Sequence, residues 1–148
     1  MLPLWLIPAL PLAGAFINAI FSRRLPRPVV ALIAVGSVTL AFVVSLLAVI
    51  SLAGLPADAR VVRDGVYSWI TAGPFSANVS FLLDPLSAVM ILVVSGVGAL
   101  IHLYSVGYMA EDEGYGRFFT YMNLFAFSML LLVLADNYLL LYVGWELV

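Results

Sequence analysis

The 148-residue sequence contains no cysteine and no lysine, only one histidine, and charged side chains at just 9% of its positions. Without cysteine the chain has no disulfide, no thiolate ligand for a cluster and no haem-attachment motif. Any redox centre must sit elsewhere. Six arginines against eight acids give a net charge of -2, with no basic patch of the kind nucleic acid needs, so that partner class is excluded. The polar surface of a soluble domain is missing too. With 65% hydrophobic residues, the chain reads as an all-α integral membrane protein, because backbone groups in lipid must be satisfied within each span. Residues 1–19 have the apolar core of a signal peptide, but Arg23, Arg24 and Arg27 follow that core instead of preceding it. The segment is therefore expected to stay as a span.

Apolar runs and their breaks divide the chain. Four full transmembrane helices and the start of a fifth are expected at residues 2–21, 29–53, 82–108, 118–135 and 137–148. Residues 22–28 form a short loop carrying three of the six arginines, and residues 109–117 form an acidic loop with Arg117. Counting Arg alone, four lie on this side and two, Arg60 and Arg63, on the other. The positive-inside rule thus puts both loops in the cytoplasm and the amino terminus outside. Residues 54–81 leave the hydrocarbon. Within them Phe75, Ala77, Val79 and Phe81 alternate with Ser76, Asn78 and Ser80, and Ala72-Gly73-Pro74 is turn chemistry after a weaker strand at residues 66–70. The expectation is an external β-hairpin between helices two and three. Asn78-Val79-Ser80 matches a glycosylation acceptor, but a pattern this short inside a strand is chance in most cases.

The ionisable groups inside the apolar runs are the candidates for chemistry. Glu146 lies nine positions beyond Asn137, roughly 13 Å at the helical rise, near the middle of a hydrocarbon layer about 30 Å thick. A charge at that depth costs about 2.5 to 3.5 kcal/mol, and such residues usually face a protein interior or a wet cavity and serve ion or proton movement. The bland alternative is a neutral Glu bonded across helices. His102 shares a face with Ser95, Gly98 and Ala99, so it points at protein. It is either a proton relay or a histidine fixed by a neighbouring helix. Asp84 before Pro85 reads as a helix cap, and Asn123 as an interhelical bond. A fifth helix ending at Val148 would leave carbonyls unsatisfied in lipid, so the chain is expected to be the front piece of a longer protein or to be completed by other chains.

Several stretches then carry a resemblance. His102-Leu103-Tyr104-Ser105-Val106-Gly107-Tyr108-Met109, Asp112-Glu113-Gly114-Tyr115-Gly116-Arg117-Phe118-Phe119, Leu134-Ala135-Asp136-Asn137 and Gly144-Trp145-Glu146-Leu147 resemble the L subunit family of bacterial respiratory complex I, equivalent to mitochondrial chain 5. The likeness covers the whole chain but about the first quarter of that family's length. It implies the N-terminal part of an antiporter-like helical bundle in the inner (plasma) membrane of a bacterium. It implies an NADH:quinone oxidoreductase subunit that moves protons, beside other membrane-arm subunits of complex I and the lipid bilayer. NADH, FMN, iron-sulfur clusters and quinone would belong to other subunits, with no cofactor in this chain. Glu146 would be the proton carrier, paired with a lysine on a later helix that is absent here, and His102 a possible relay. The rivals are the large subunit of a multisubunit Na+/H+ antiporter, a hydrogenase-linked relative, and a purely structural membrane subunit.

Overall fold

The computed structural model describes residues 3–148, so the expected start of the first span at Leu2 lies outside the described residues. The order is α1 (Leu6–Phe21), α2 (Arg27–Ala53), a 3-10 turn at Ala57–Ala59, β1 (Val62–Ala72), β2 (Phe75–Leu83), α3 (Pro85–Tyr108), α4 (Tyr115–Leu134) and α5 (Tyr138–Leu147). Among the described residues α2, α3 and α4 are long and apolar enough to cross a membrane. The 16 residues of α1 rise only about 24 Å. That falls short of a bilayer core, so three spans, not four, meet the length requirement, and α1 and α5 are shorter apolar helices.

Among α2, α3 and α4, two starts differ by three residues from the hydropathy reading. Helix α3 begins at Pro85 instead of residue 82, because Leu82 and Leu83 complete β2 and Asp84 then caps the helix. The hydrophobic run simply continues from strand into helix. Helix α4 begins at Tyr115, three residues ahead of the apolar stretch, with Arg27 stacked over the Tyr115 ring.

The α3 cap is reciprocal. Ser87 N–H donates to Asp84 Oδ1 at 2.7 Å, and Asp84 N–H donates to Ser87 Oγ at 2.8 Å. The Ser87 N–H is the main cause holding the Asp84 carboxyl below its ordinary range, with partial burial opposing it. A lowered folded-state pKa contributes stability above the unfolded carboxylate value and loses it as pH falls through the folded one. Asp84→Ala should therefore destabilise the protein by about 1 kcal/mol at neutral pH, and the gap to wild type should close below the ordinary carboxylate range. Thermal unfolding in detergent across pH 7 to 3 (a range of roughly four units that brackets the carboxylate value) tests this, and a gap that persists in acid would show that the ionised carboxylate is not what caps the helix.

The helices pack as a bundle in which α1 lies against α4 and α2, α3 lies against α2 and α4, and α5 rests on α4. Two apolar clusters fill it. One, near the hairpin, gathers Leu4, Ile7, Ala48, Leu83, Ile91 and Leu134, and the other gathers Val30, Ala31, Ala34, Tyr115 and Phe119. Outward-facing Leu32, Ile50, Leu100 and Leu103 are exposed, as expected of lipid-facing side chains on spans whose aqueous ends lie at the loops.

The hairpin turns at Gly73-Pro74, where Ala72 pairs with Phe75 and Gly73 has φ +60, a conformation that favours glycine. Burial is confined to β2, where Ala77, Ser80, Phe81 and Leu83 are buried, while Phe75 beside the turn and Tyr67 and Trp69 on β1 are exposed. The hairpin is also pinned to the α4–α5 turn. Arg63 contacts both oxygens of Asp136 at 2.6 and 2.9 Å, Ser80 Oγ donates to Asp136 Oδ2, Asp136 N–H donates to Ser80 O, and Asn137 Nδ2 donates to Asn78 O at 2.7 Å. At the other edge Leu4 N–H donates to Asp64 Oδ2 at 2.6 Å.

Candidate functional site

Between the two apolar clusters lies a polar layer contributed by four helices. Its centre is Asn123 on α4, fully buried. Asn123 Nδ2 donates to Ser37 Oγ on α2 at 2.7 Å and to Pro11 O on α1 at 3.4 Å, and its Oδ1 faces His102 Nε2 on α3 at 3.0 Å. The opposite ring nitrogen, Nδ1, lies 2.7 Å from Gly98 O. Ser37 Oγ in turn donates to Ala34 O. Gly14 makes the approach possible, because a Cβ there would collide with Asn123 Nδ2 and Ser37 Oγ. The helices come close where the small residue is, as membrane helix pairs usually do.

Hydrogen-bond counting limits the chemistry of this layer. A carbonyl only accepts, so Nδ1–H donates to Gly98 O. With Nδ1–H so used, Asn123 Oδ1 can accept from Nε2 only when the ring is protonated on both nitrogens. A neutral ring leaves Nε2 as an acceptor, and the Asn123 amide must turn over to donate to it. Turning the amide would strip Pro11 O of its donor and reverse the bond to Ser37. The protonation of His102 and the orientation of Asn123 are thereby linked. Every outer end of the network closes on a main-chain carbonyl, at Gly98, Ala34 or Pro11, so it ties α1 to α4 without a polar exit among the described residues.

The expectation that His102 points at protein holds, as does the interhelical bond of Asn123. Neither Ser37 nor the buried Asn18 on α1 was singled out from the sequence. Asn18 is fully buried, its Nδ2 donates to Val30 O, and its Oδ1 has no partner among the described residues. The available signal was that an amide inside an apolar run must find a partner in protein.

Glu146 is placed differently from what its depth suggested. It sits on α5 with Asn137 as N-cap, whose Oδ1 accepts Leu140 N–H at 3.0 Å. The buried face of α5 carries Leu140 and Gly144, and Glu146 lies on the other face, exposed beside exposed Trp145 and Leu147. The burial expected of Glu146 is not supplied by these residues, because α5 packs mainly on α4 and does so with its opposite side, and Glu146 and His102 are not brought together. His102 belongs to the α1–α4 core. Within the described residues no cluster of three or more His, Cys, Asp or Glu could hold a metal ion.

The weight of the polar layer is measurable. Interhelical hydrogen bonds in membranes average about 0.6 kcal/mol and reach about 1.7 kcal/mol, so His102→Leu and Asn123→Leu should each destabilise modestly. Their double-mutant cycle should show a coupling in the same range. Reversible unfolding in detergent measures it, and additive effects would mean that the ring and the amide act independently.

Comparison with known proteins adds a separate line. A family model described as the N-terminus of NADH-Ubiquinone oxidoreductase (complex I), chain 5, matches residues 69–119. NADH-quinone oxidoreductase subunit L of Mycobacterium tuberculosis (strain H37Rv) is 47% identical over 142 residues, which cover 96% of this chain and 22% of the relative. The subunit of the same name from Escherichia coli (strain K12) is 46% identical over 138 residues, covering 93% and 22%. The chain thus spans less than a quarter of the length of these curated relatives. Among solved structures, one titled as the Mrp complex from Dietzia sp. superposes with a TM-score of 0.75 at 30% identity, covering 97% of this chain and 14% of that one.

Proposed function

This chain is a homologue of NADH-quinone oxidoreductase subunit L over the N-terminal part of that subunit, and from that footing we propose that it forms the opening helices of an antiporter-like subunit that carries protons through the membrane arm of a respiratory NADH:quinone oxidoreductase. In this reading the bilayer is the inner membrane of a bacterium, α1 serves as a fourth crossing, the amino terminus and hairpin face outside, and the redox cofactors reside in other subunits. Glu146 is the proton carrier. The observation that carries the proposal is its position on a helix capped at the hairpin end by Asn137, which sets it about 13 Å along the axis.

A carboxylate in a low-dielectric site is driven toward its neutral form, and an approaching cation restores the charged form. Moving a cation toward and away from such a group therefore makes it release and accept a proton. This chain has no lysine and leaves Glu146 facing outward, so the cation and the walls of the site come from outside these residues. His102 serves as a relay only if the Asn123 amide turns with each proton, as the bond counting requires. The likeness to the Mrp structure favours a second reading, an antiporter subunit exchanging protons for sodium ions. Proton translocation into vesicles by the assembled complex, with Glu146→Gln in the complete subunit and with sodium present or absent, tests both.

A further inference from the structure

At the end of the bundle away from the hairpin, α1 and α4 border a cleft of about 600 Å³, within the size range of sites that bind small ligands. Arg23, just beyond α1, and Arg117, in the first turn of α4, line it together with Ser22, Thr120 and Tyr121. Among the described residues neither guanidinium has a carboxylate within ion-pair distance, the one ion pair being Arg63 with Asp136. A third charged residue, Glu113, lines the same cleft. It too is unpaired among the described residues. Two positively charged residues and one negatively charged residue thus border the cleft without forming an ion pair with one another.

The surroundings are those of a membrane boundary. From Arg23 back along α1, Ile20 and Phe16 continue the same helical face and are 65% and 59% exposed. From Arg117 along α4, Tyr121 and Phe125 do the same at 65% and 50%. Each arginine thus stands at the polar end of an apolar stripe, one on each of two helices that pack against each other. Gly116 keeps the contact tight, since a Cβ there would lie 2.6 Å from Ser22 Cβ.

We propose that this cleft binds the headgroup of a membrane phospholipid, its phosphodiester held by Arg23 and Arg117 and its ammonium group by Glu113, with the acyl chains lying along the Phe16–Ile20 and Tyr121–Phe125 stripes. Guanidinium groups match phosphate oxygens in a bidentate manner, and basic pockets at the ends of membrane helices are established places for lipid headgroups. A free phosphate would satisfy the arginines but neither Glu113 nor the stripes. The carboxylate selects a headgroup with both signs of charge, such as phosphatidylethanolamine, over phosphatidylglycerol. This inference is independent of the transport reading.

The assembled complex, purified in mild detergent and examined by native mass spectrometry with added phosphatidylethanolamine, phosphatidylglycerol or inorganic phosphate, provides the test. Near a membrane surface each arginine is worth about fivefold in lipid affinity, so Arg23→Gln and Arg117→Gln should each weaken retention by about fivefold and the double variant by roughly thirtyfold. The Lys variants at both positions, which keep the charge, should retain lipid and guard against an assembly defect. Glu113→Gln should abolish the preference for phosphatidylethanolamine. Unchanged retention in the double Gln variant would overturn the site, displacement of lipid by inorganic phosphate would reassign it to a free anion, and a wild-type preference for phosphatidylglycerol would overturn the role of Glu113.

Discussion

Proton translocation by the assembled complex is expected to fall by an order of magnitude or more when Glu146 in the complete subunit becomes Gln, each 1.36 kcal/mol lost being roughly a factor of ten. Gln keeps the size and hydrogen-bonding reach of the side chain but carries no titratable proton. The exposure of Glu146 sharpens the experiment. Because the side chain makes no packing contact on the buried face of α5, which is formed by Leu140 and Gly144, the substitution leaves α4–α5 packing intact. A lost rate would then belong to the carboxyl group itself. Wild-type pumping in a complex that assembles normally would remove Glu146 from the mechanism, whereas a loss that appears only with sodium present would move the proposal to the sodium-exchanging reading.

The second large effect is expected at Gly144, through packing rather than charge. A Cβ on Gly144 would stand 2.8 Å from both the backbone nitrogen and the Cα of Leu132 on α4. Backbone atoms cannot swing aside, so α5 must back away from α4. Overpacking of this kind costs about 1 to 3 kcal/mol, and the larger side chain of Gly144→Val should bring the cost to the upper end of that range. Since α4 is the main support of α5 among the described residues, the displacement would also carry Glu146 off its position. Gly144→Val is therefore expected to lower both the thermal midpoint of the complete subunit and its translocation rate, while Gly36→Val, at a position with nothing within 4 Å of a Cβ, should leave both near wild type. Equal behaviour of the two variants would show that the close approach of α4 and α5 is not needed.

Much of this arrangement was legible in the sequence, and the parts that were not share a cause. Hydropathy located the helices because lipid selects for continuous apolar runs, and the alternation in Phe75–Leu83 located a strand because that strand packs on the bundle. Where strand met helix the method failed, since Phe81-Leu82-Leu83 is as apolar as the helix beyond it and only the Asp84-Pro85 cap marks the change. Helix α4 started early because Tyr115-Gly116-Arg117 belongs to the boundary and not to the oil. His102 and Asn123 stood out as polar groups in apolar runs, but their partnership, and the part played by Ser37 and Asn18, depends on which helices touch. For Glu146 the sequence carried depth, which is a count of residues from a cap. It did not carry facing, which depends on the side of α5 that Gly144 turns toward α4.

The attachment of the hairpin to the α4–α5 turn makes it a datum for altitude. Asn137 starts α5 and is itself held by Asn78, while Ser80 and Arg63 hold Asp136, so the level at which α5 enters is referenced to a protein edge and not to the lipid surface. A thinner or thicker bilayer would slide past these helices without changing the elevation of the carboxylate relative to the rest of the machine. A slip of one residue in β2, by contrast, would carry its anchor points about 3.3 Å along the strand, and an α5 begun one residue late would point Glu146 about 100° away.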